Sequence, residues 1–220
     1  PKRNTKGPMR MPVSGVFKIK GVGDVITGRV EQGHVKPGQV VRFVPSCTHG
    51  KVFSVEMNHK SVEVAGPGDN VGLNIKGLSK TNMPKTGDVM FVEGESDCGI
   101  TTEFTAMVHV QSHPGQLKPP NAEGKGGFTP SVHIRSGRAP CKLVKINWKM
   151  GKATGGKKVE DPPFIKANEQ AEAVFECKMP FFCEPFKICP GLGRVAFMDS
   201  NRLIMLGRVM SVKTKPFAKK

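Results

Sequence analysis

A chain of 220 residues has room for one large or two modest domains, each able to bury its own core. Its 34 Lys+Arg against 18 Asp+Glu leave a formal net charge of +16, an excess that suits a polyanionic partner, with a highly charged solvated surface as the alternative. No apolar run approaches the roughly 20 residues of a membrane helix.

The opening ten residues, Pro1 to Arg10, are basic and punctuated by proline and glycine, as a linker would be. A start at Pro1, without an initiator methionine, reads as a processed product or a fragment of a longer protein. Gly21-Val-Gly-Asp-Val-Ile-Thr-Gly-Arg-Val-Glu-Gln-Gly33, running on to Val40, reads as two short β-branched strands with glycines at sharp turns. In Lys36-Pro37-Gly38 the proline pre-sets one turn position and the glycine is free to take positive φ. Short Val/Ile/Phe-rich runs recur at Val16–Ile19, Val25–Val30, Gln39–Val44, Val52–Met57 and Val71–Ile75, with turn clusters between them that include Gly66-Pro-Gly-Asp-Asn70 and Lys85-Thr-Gly-Asp88. That spacing predicts an all-β barrel over 11–94.

An acidic, small-residue link at Gly94–Gly99 opens a boundary, with the linker taken as 95–102. A second strand set then occupies 103–213: Glu103–Val110, Ser131–Ile134, Cys141–Trp148, Ala171–Glu176, Arg194–Met198 and Arg202–Val212. Residues 214–220 read as a basic tail. No helical periodicity of convincing length and no fixed-period repeat interrupts the pattern. The expected fold is therefore all-β, with two consecutive antiparallel β-barrels. Charge divides unevenly between them: residues 1–100 hold 14 Lys+Arg against 9 Asp+Glu, and residues 101–220 hold 20 against 9.

Motifs for chemistry are sparse. Gly151-Lys-Ala-Thr-Gly-Gly-Lys-Lys158 approaches a phosphate-binding loop, but Lys158 stands where a magnesium-ligating Ser or Thr belongs. A basic surface loop is the expectation, with no GTP hydrolysis by this chain. His109 and His113 share a strand face without the glutamate and helix of a zinc-protease motif, so no metal is expected. The six cysteines, at 47, 98, 141, 177, 183 and 189, contain no Cys-x-x-Cys and match no zinc spacing. Reduced thiols in a reducing, cytoplasmic compartment fit them. No nucleophile-elbow pattern and no catalytic constellation stands out.

In the first half, Arg10-Met-Pro12, Gly28-Arg-Val-Glu31, Lys36-Pro-Gly38, Val55-Glu-Met57 with His59, and Gly68-Asp-Asn-Val-Gly72 recur in a known order. In the second half, Phe104-Thr-Ala106, His113-Pro-Gly-Gln116, Ala139-Pro-Cys-Lys142, Gly156-Lys-Lys-Val-Glu-Asp161 and Leu192-Gly-Arg194 continue it. Together they resemble the second and third domains of the elongation factor 1-alpha and elongation factor Tu family, from about Met9 to Val212. The resemblance implies translation-factor barrels that follow a GTP-binding domain, which has no counterpart here. GTP and magnesium would belong to that domain, and this chain would hold no cofactor.

It implies that Phe17, Glu56, His59 and Asn70 line the pocket for the terminal adenosine and aminoacyl ester of a charged tRNA. A hydrophobic wall can pack the base, while Glu and Asn offer hydrogen bonds. His133, Arg135, Arg138, Arg194 and Arg202 would lie along the tRNA backbone, where a guanidinium fork can bond two phosphate oxygens. Implied partners are aminoacyl-tRNA, the ribosome, a guanine-nucleotide exchange factor and actin, with no membrane. The alternatives are a release-factor or ribosome-rescue GTPase of the same superfamily, or a non-enzymatic basic scaffold binding RNA or actin. Ser14-Gly15 replaces the acidic residue usual before the first strand aromatic, and Asn121–Gly127 and Ser136-Gly137-Arg138 also depart from the pattern. Those departures point to a divergent branch, such as the elongation-factor-like proteins.

Overall fold

The computed structural model describes residues 4–217, and strands dominate its regular structure. The chain divides into two compact units. The first comprises the described residues up to Ile100 with Arg135–Gly137 and the stretch from Pro216; the second comprises Thr101–Ile134 and Arg138–Lys215.

The strands of the first unit are β1 (Met11–Ile19), β2 (Gly23–Arg29), β3 (Val40–Val44), β4 (Thr48–Met57), β5 (Lys60–Val62), β6 (Asn70–Lys76) and β7 (Val89–Val92). They pair in the order β3-β7-β1-β2-β6-β4, and β4 returns to β3, which closes a barrel with β5 appended to β4. Closure leaves few unpaired strand edges. Alternation decides which side chains go inside: Val71, Leu73 and Ile75 of β6 join Val13, Ile26, Phe43 and Val55 in the core. Gly38 takes φ +90°, as the Lys-Pro-Gly turn predicts, and donates its N–H to Val52 O at 2.8 Å. The two expected runs at Val25–Val30 and Gln39–Val44 form β2 and β3. Between them Val35 makes an isolated bridge to Ala65.

One irregularity was not legible in the sequence. Between Val52↔Ile75 and Ser54↔Asn74 the register of β4 against β6 shifts, so Phe53 is the extra residue of a bulge. It leaves the barrel 64 % exposed, with the Lys76 ammonium 5.2 Å from its ring centre.

The second unit contains all but the end residues of β8 (Gly99–Val110), β10 (Gly137–Met150) and β14 (Arg202–Pro216), together with β9 (Ser131–Ile134), β11 (Val159–Glu160), β12 (Gln170–Phe181) and β13 (Arg194–Asp199). Order β10-β12-β8-β14-β13-β9, with β9 back on β10, closes a second six-stranded barrel, and β11 adds to β10. Its core is aromatic: Phe175 lies 5.4 Å from Phe104, stacked, and 4.6 Å from Phe197. Two strands run beyond their predicted bounds. β8 begins at Gly99, inside the expected linker, and β14 continues to Pro216, inside the expected tail. Lys213 explains part of the extension, since its carbonyl accepts from Thr102 Oγ1 at 3.1 Å and its ammonium pairs with Glu103 at 2.7 Å. A strand whose side chains are almost all exposed has no apolar alternation to announce it. Residues 218–220 of the expected tail lie outside the described residues. No helix of the described residues is long and apolar enough to cross a membrane.

Candidate functional site

On the first unit, register fixes what shares the outer face of β1, β2, β6 and β4. Glu56 stands opposite Gly72, Gly72 opposite Thr27, and Thr27 opposite Gly15. Directly opposed residues project to the same side, and so do residues two apart on one strand. Asn70 and Glu56 therefore share this face, offset by two positions along β6, and Phe17 emerges on it from β1 beside Val25. Phe17 is 53 % exposed, so it is not a core residue.

Two glycines shape this surface. A Cβ on Gly15 would come within 2.5 Å of the Phe17 ring, so only glycine lets that ring lie down along its own strand. A Cβ on Gly72 would meet only Val25 Cγ1, at 3.7 Å, which leaves the floor between Glu56 and Thr27 open. Beside this floor is a cleft of about 510 Å³ lined by Ser14, Thr27, Gly28, Arg29, Glu31, Asn70 and Gly72, with Arg135 and Ser136. Of the four predicted pocket residues, only Asn70 lines it. Arg29, which stands opposite Asn70, was quoted in a sequence motif but not singled out as a site residue.

His59 lies apart from that cleft. It occupies the β4–β5 turn with Asn58, both left-handed at φ +63° and +49°, where its side chain stands at a hairpin tip. Arg135 is also engaged elsewhere than predicted. Its Nη2 pairs with Glu31 Oε2 at 2.9 Å, while Ser136 Oγ donates to Val13 O at 2.7 Å. Holding a phosphate as well would require Arg135 to give up or share its carboxylate partner.

On the second unit the basic groups fall into two places. Arg194 opens β13 directly opposite Arg208 of β14. Both guanidinium groups sit against one ring, with Cζ 5.3 Å and 4.9 Å from the Phe186 centre. Neither makes an ion pair among the described residues, and both are exposed. Like charges directly opposed across a ladder destabilise it, so the pair relies on the aromatic face between them. His133 stands opposite Ala196, two positions along β13 from Arg194 and on the same face, with Nε2 3.0 Å from Ser131 Oγ. Arg138 is exposed at the start of β10, which pairs with His133's strand.

Arg202 is distant from this group. It pairs in register with Asp199 at the other end of β13, about 17 Å along the strand from Arg194. Sequence reasoning missed Arg208 and Phe186. Arg208 lies on the far strand of a hairpin, and only the register of β13 on β14 brings it to Arg194.

The Gly151–Lys158 loop does not fit a nucleotide phosphate. It holds one 3-10 turn, Lys152–Thr154, between strands, and Gly151 N–H is taken by Thr154 Oγ1 at 3.0 Å. Lys158 is engaged with Glu160 at 2.9 Å and lies 5.0 Å from the Trp148 ring centre. Among the described residues no group of three or more His, Cys, Asp or Glu is arranged to hold a metal.

Two family profiles match the sequence: elongation factor Tu domain 2 over residues 23–91, and GTP-eEF1A C-terminal domain-like over 103–210. Elongation factor 1-alpha of Methanosarcina mazei is 35% identical over 98% of this chain and 49% of its own length. That of Methanocorpusculum labreanum is 37% identical over 98% and 48%, and that of Plasmodium falciparum 36% over 98% and 47%. The chain thus spans about half the length of the curated relatives it matches. Among solved structures, sup35 complexed with GDP aligns at a TM-score of 0.82 and 21% identity, over 96% of this chain and 48% of that one. The sup35 complex with GMPPNP aligns at 0.82 and 20%. At that identity the likeness shows the fold.

Proposed function

The chain belongs to the elongation factor 1-alpha and elongation factor Tu family, of which it carries the second and third domains, and on that premise we propose that it grips aminoacyl-tRNA. The whole protein would deliver charged tRNA to the ribosomal A site in a GTP-dependent manner. GTP and magnesium would sit in a domain outside these residues, and a guanine-nucleotide exchange factor would be a further partner. Neither unit would then be catalytic. A role beside translation, such as actin binding, would use the same basic surface. The curated relatives named elongation factor 1-alpha share 35–37% of residues with the chain, which supports the elongation reading.

The observation that carries this reading is the Arg194–Phe186–Arg208 cluster. Two exposed guanidinium groups are held close on one ring, with no ion pair to a carboxylate among the described residues. A polyphosphate backbone supplies the missing charge and releases its own counterions on contact. The outer face of the first unit offers a different chemistry. The exposed Phe17 ring, the open floor at Gly72 and the hydrogen-bonding ends of Glu56 and Asn70 suit a nucleoside and its ester more than a phosphate run.

The test is the salt dependence of tRNA binding. Arg194→Ala and Arg208→Ala should each weaken binding to charged and uncharged tRNA alike. Each should also flatten log K against log salt by about one unit. Arg135→Ala should change the slope less, because Glu31 already holds that guanidinium. Unchanged slopes for both Arg194→Ala and Arg208→Ala would overturn the assignment of this surface.

A further inference from the structure

Cys141 of β10 and Cys177 of β12 are direct register partners, one step from the fully buried pair Leu143 and Phe175. Their side chains face the barrel interior, and their sulfurs stand 3.7 Å apart, with the Cys141 S–H directed at Cys177 Sγ. Directly opposed strand residues keep their Cα atoms about 4.5–5.5 Å apart. That separation falls within the range of about 4.4–6.8 Å that a disulfide spans without moving backbone.

The two thiols are not equally reachable. Cys141 is fully buried, whereas Cys177 is half-buried, at the point where β12 leaves its regular pairing with β8 between Glu176 and Phe181. The hydrogen bond to Cys177 and burial both push the Cys141 thiol up, so it stays protonated. Cys183, also buried, is turned to Thr101 Oγ1 at 3.9 Å. Six cysteines without a Cys-x-x-Cys gave no sign of a pair, because these two lie in different strands and meet only through the register of β10 on β12.

We propose that Cys141 and Cys177 form an oxidisable dithiol that closes to a disulfide on exposure to hydrogen peroxide, stapling β10 to β12. Peroxide enters at Cys177: its sulfur bonds one peroxide oxygen, the O–O bond breaks, and water leaves with Cys177 as a sulfenic acid. The Cys141 sulfur then attacks the Cys177 sulfur. The S–S bond forms, the S–O bond breaks, and the hydroxyl departs with the Cys141 proton as a second water. Two thiols give up two electrons to one peroxide. The new link encloses residues 142–176, which include the basic Gly151–Lys158 loop, and a thiol reductant reopens it.

The test treats the whole chain with a modest excess of hydrogen peroxide, blocks remaining thiols with iodoacetamide and maps the digest without reduction. The expected result is one intramolecular link, Cys141 to Cys177, with the other cysteines alkylated. The melting temperature should rise on the order of 5–10 °C and return on adding dithiothreitol. In Cys141→Ser the Cys177 sulfenic acid has no resolving thiol and should be trapped by dimedone. In Cys177→Ser, neither a link nor an adduct at Cys141 should appear. Links to other partners, or Cys141 and Cys177 both recovered as alkylated thiols, would overturn the proposal. So would a Cys141→Ser chain with no dimedone adduct at Cys177.

Discussion

Replacing Phe175 with alanine is expected to lower stability by about 3–5 kcal/mol, the usual loss for a fully buried aromatic in a core that cannot collapse around the gap. Phe175 has no exposed surface and touches two other buried rings, stacked on Phe104 at 5.4 Å and tilted against Phe197 at 4.6 Å. These rings come from three strands, β12, β8 and β13, so the cavity would loosen the barrel across its interior rather than at one edge. Trp148, the single tryptophan, lies on β10 in this unit and donates Nε1–H to Glu172 Oε2 at 2.8 Å. Urea unfolding followed by its fluorescence reports on the right unit. The midpoint should fall while the dependence on urea stays the same. A loss under about 1 kcal/mol would show that the three rings do not act as one packed core.

Lys149→Met should cost a similar amount, about 3–5 kcal/mol, for an electrostatic reason. Lys149 and Glu169 form a buried pair at 3.0 Å, with side chains 10% and 4% exposed. Glu169 Oε2 accepts from both Lys149 Nζ and the Lys166 N–H, while Oε1 is buried without a partner. Removing the lysine leaves a carboxylate in the interior with one backbone hydrogen bond. The double variant Lys149→Met/Glu169→Leu should recover most of the stability, since an apolar pair of similar volume has no charge to desolvate. A double variant as unstable as the single one would mean that packing against Phe164, whose ring centre lies 4.3 Å from Nζ, carries the effect instead.

What the sequence made legible follows from where apolar alternation is strong. Val71, Leu73 and Ile75 announce β6 and its inner face, and Lys36-Pro-Gly38 announces its turn by residue type alone. Signals fail where packing is set from outside the segment. The Phe53 bulge depends on β6, the strand to Pro216 on β8, and the Arg194–Arg208 pair on the β13–β14 register. Site residues followed the same division. Glu56, Asn70 and Phe17 were predicted together and share one outer face, because strands carry their motifs to fixed sides. His59 is placed by a left-handed turn, and Arg135 by a carboxylate 104 positions away. Neither arrangement can be read from spacing.

On the proposed function, this chain would distinguish the end of a charged tRNA, beyond attracting its backbone. The most direct test of this joins the chain to the GTP-binding domain of an elongation factor 1-alpha relative. With GTP present, the affinities for aminoacylated and deacylated forms of one tRNA are then compared at fixed salt. The charged form should bind at least about tenfold more tightly, which is roughly 1.4 kcal/mol. Asn70→Ala should narrow that gap while leaving the salt slope unchanged. Equal affinity for the two forms, with every variant acting only through the salt slope, would contradict it and leave a basic surface that binds any RNA.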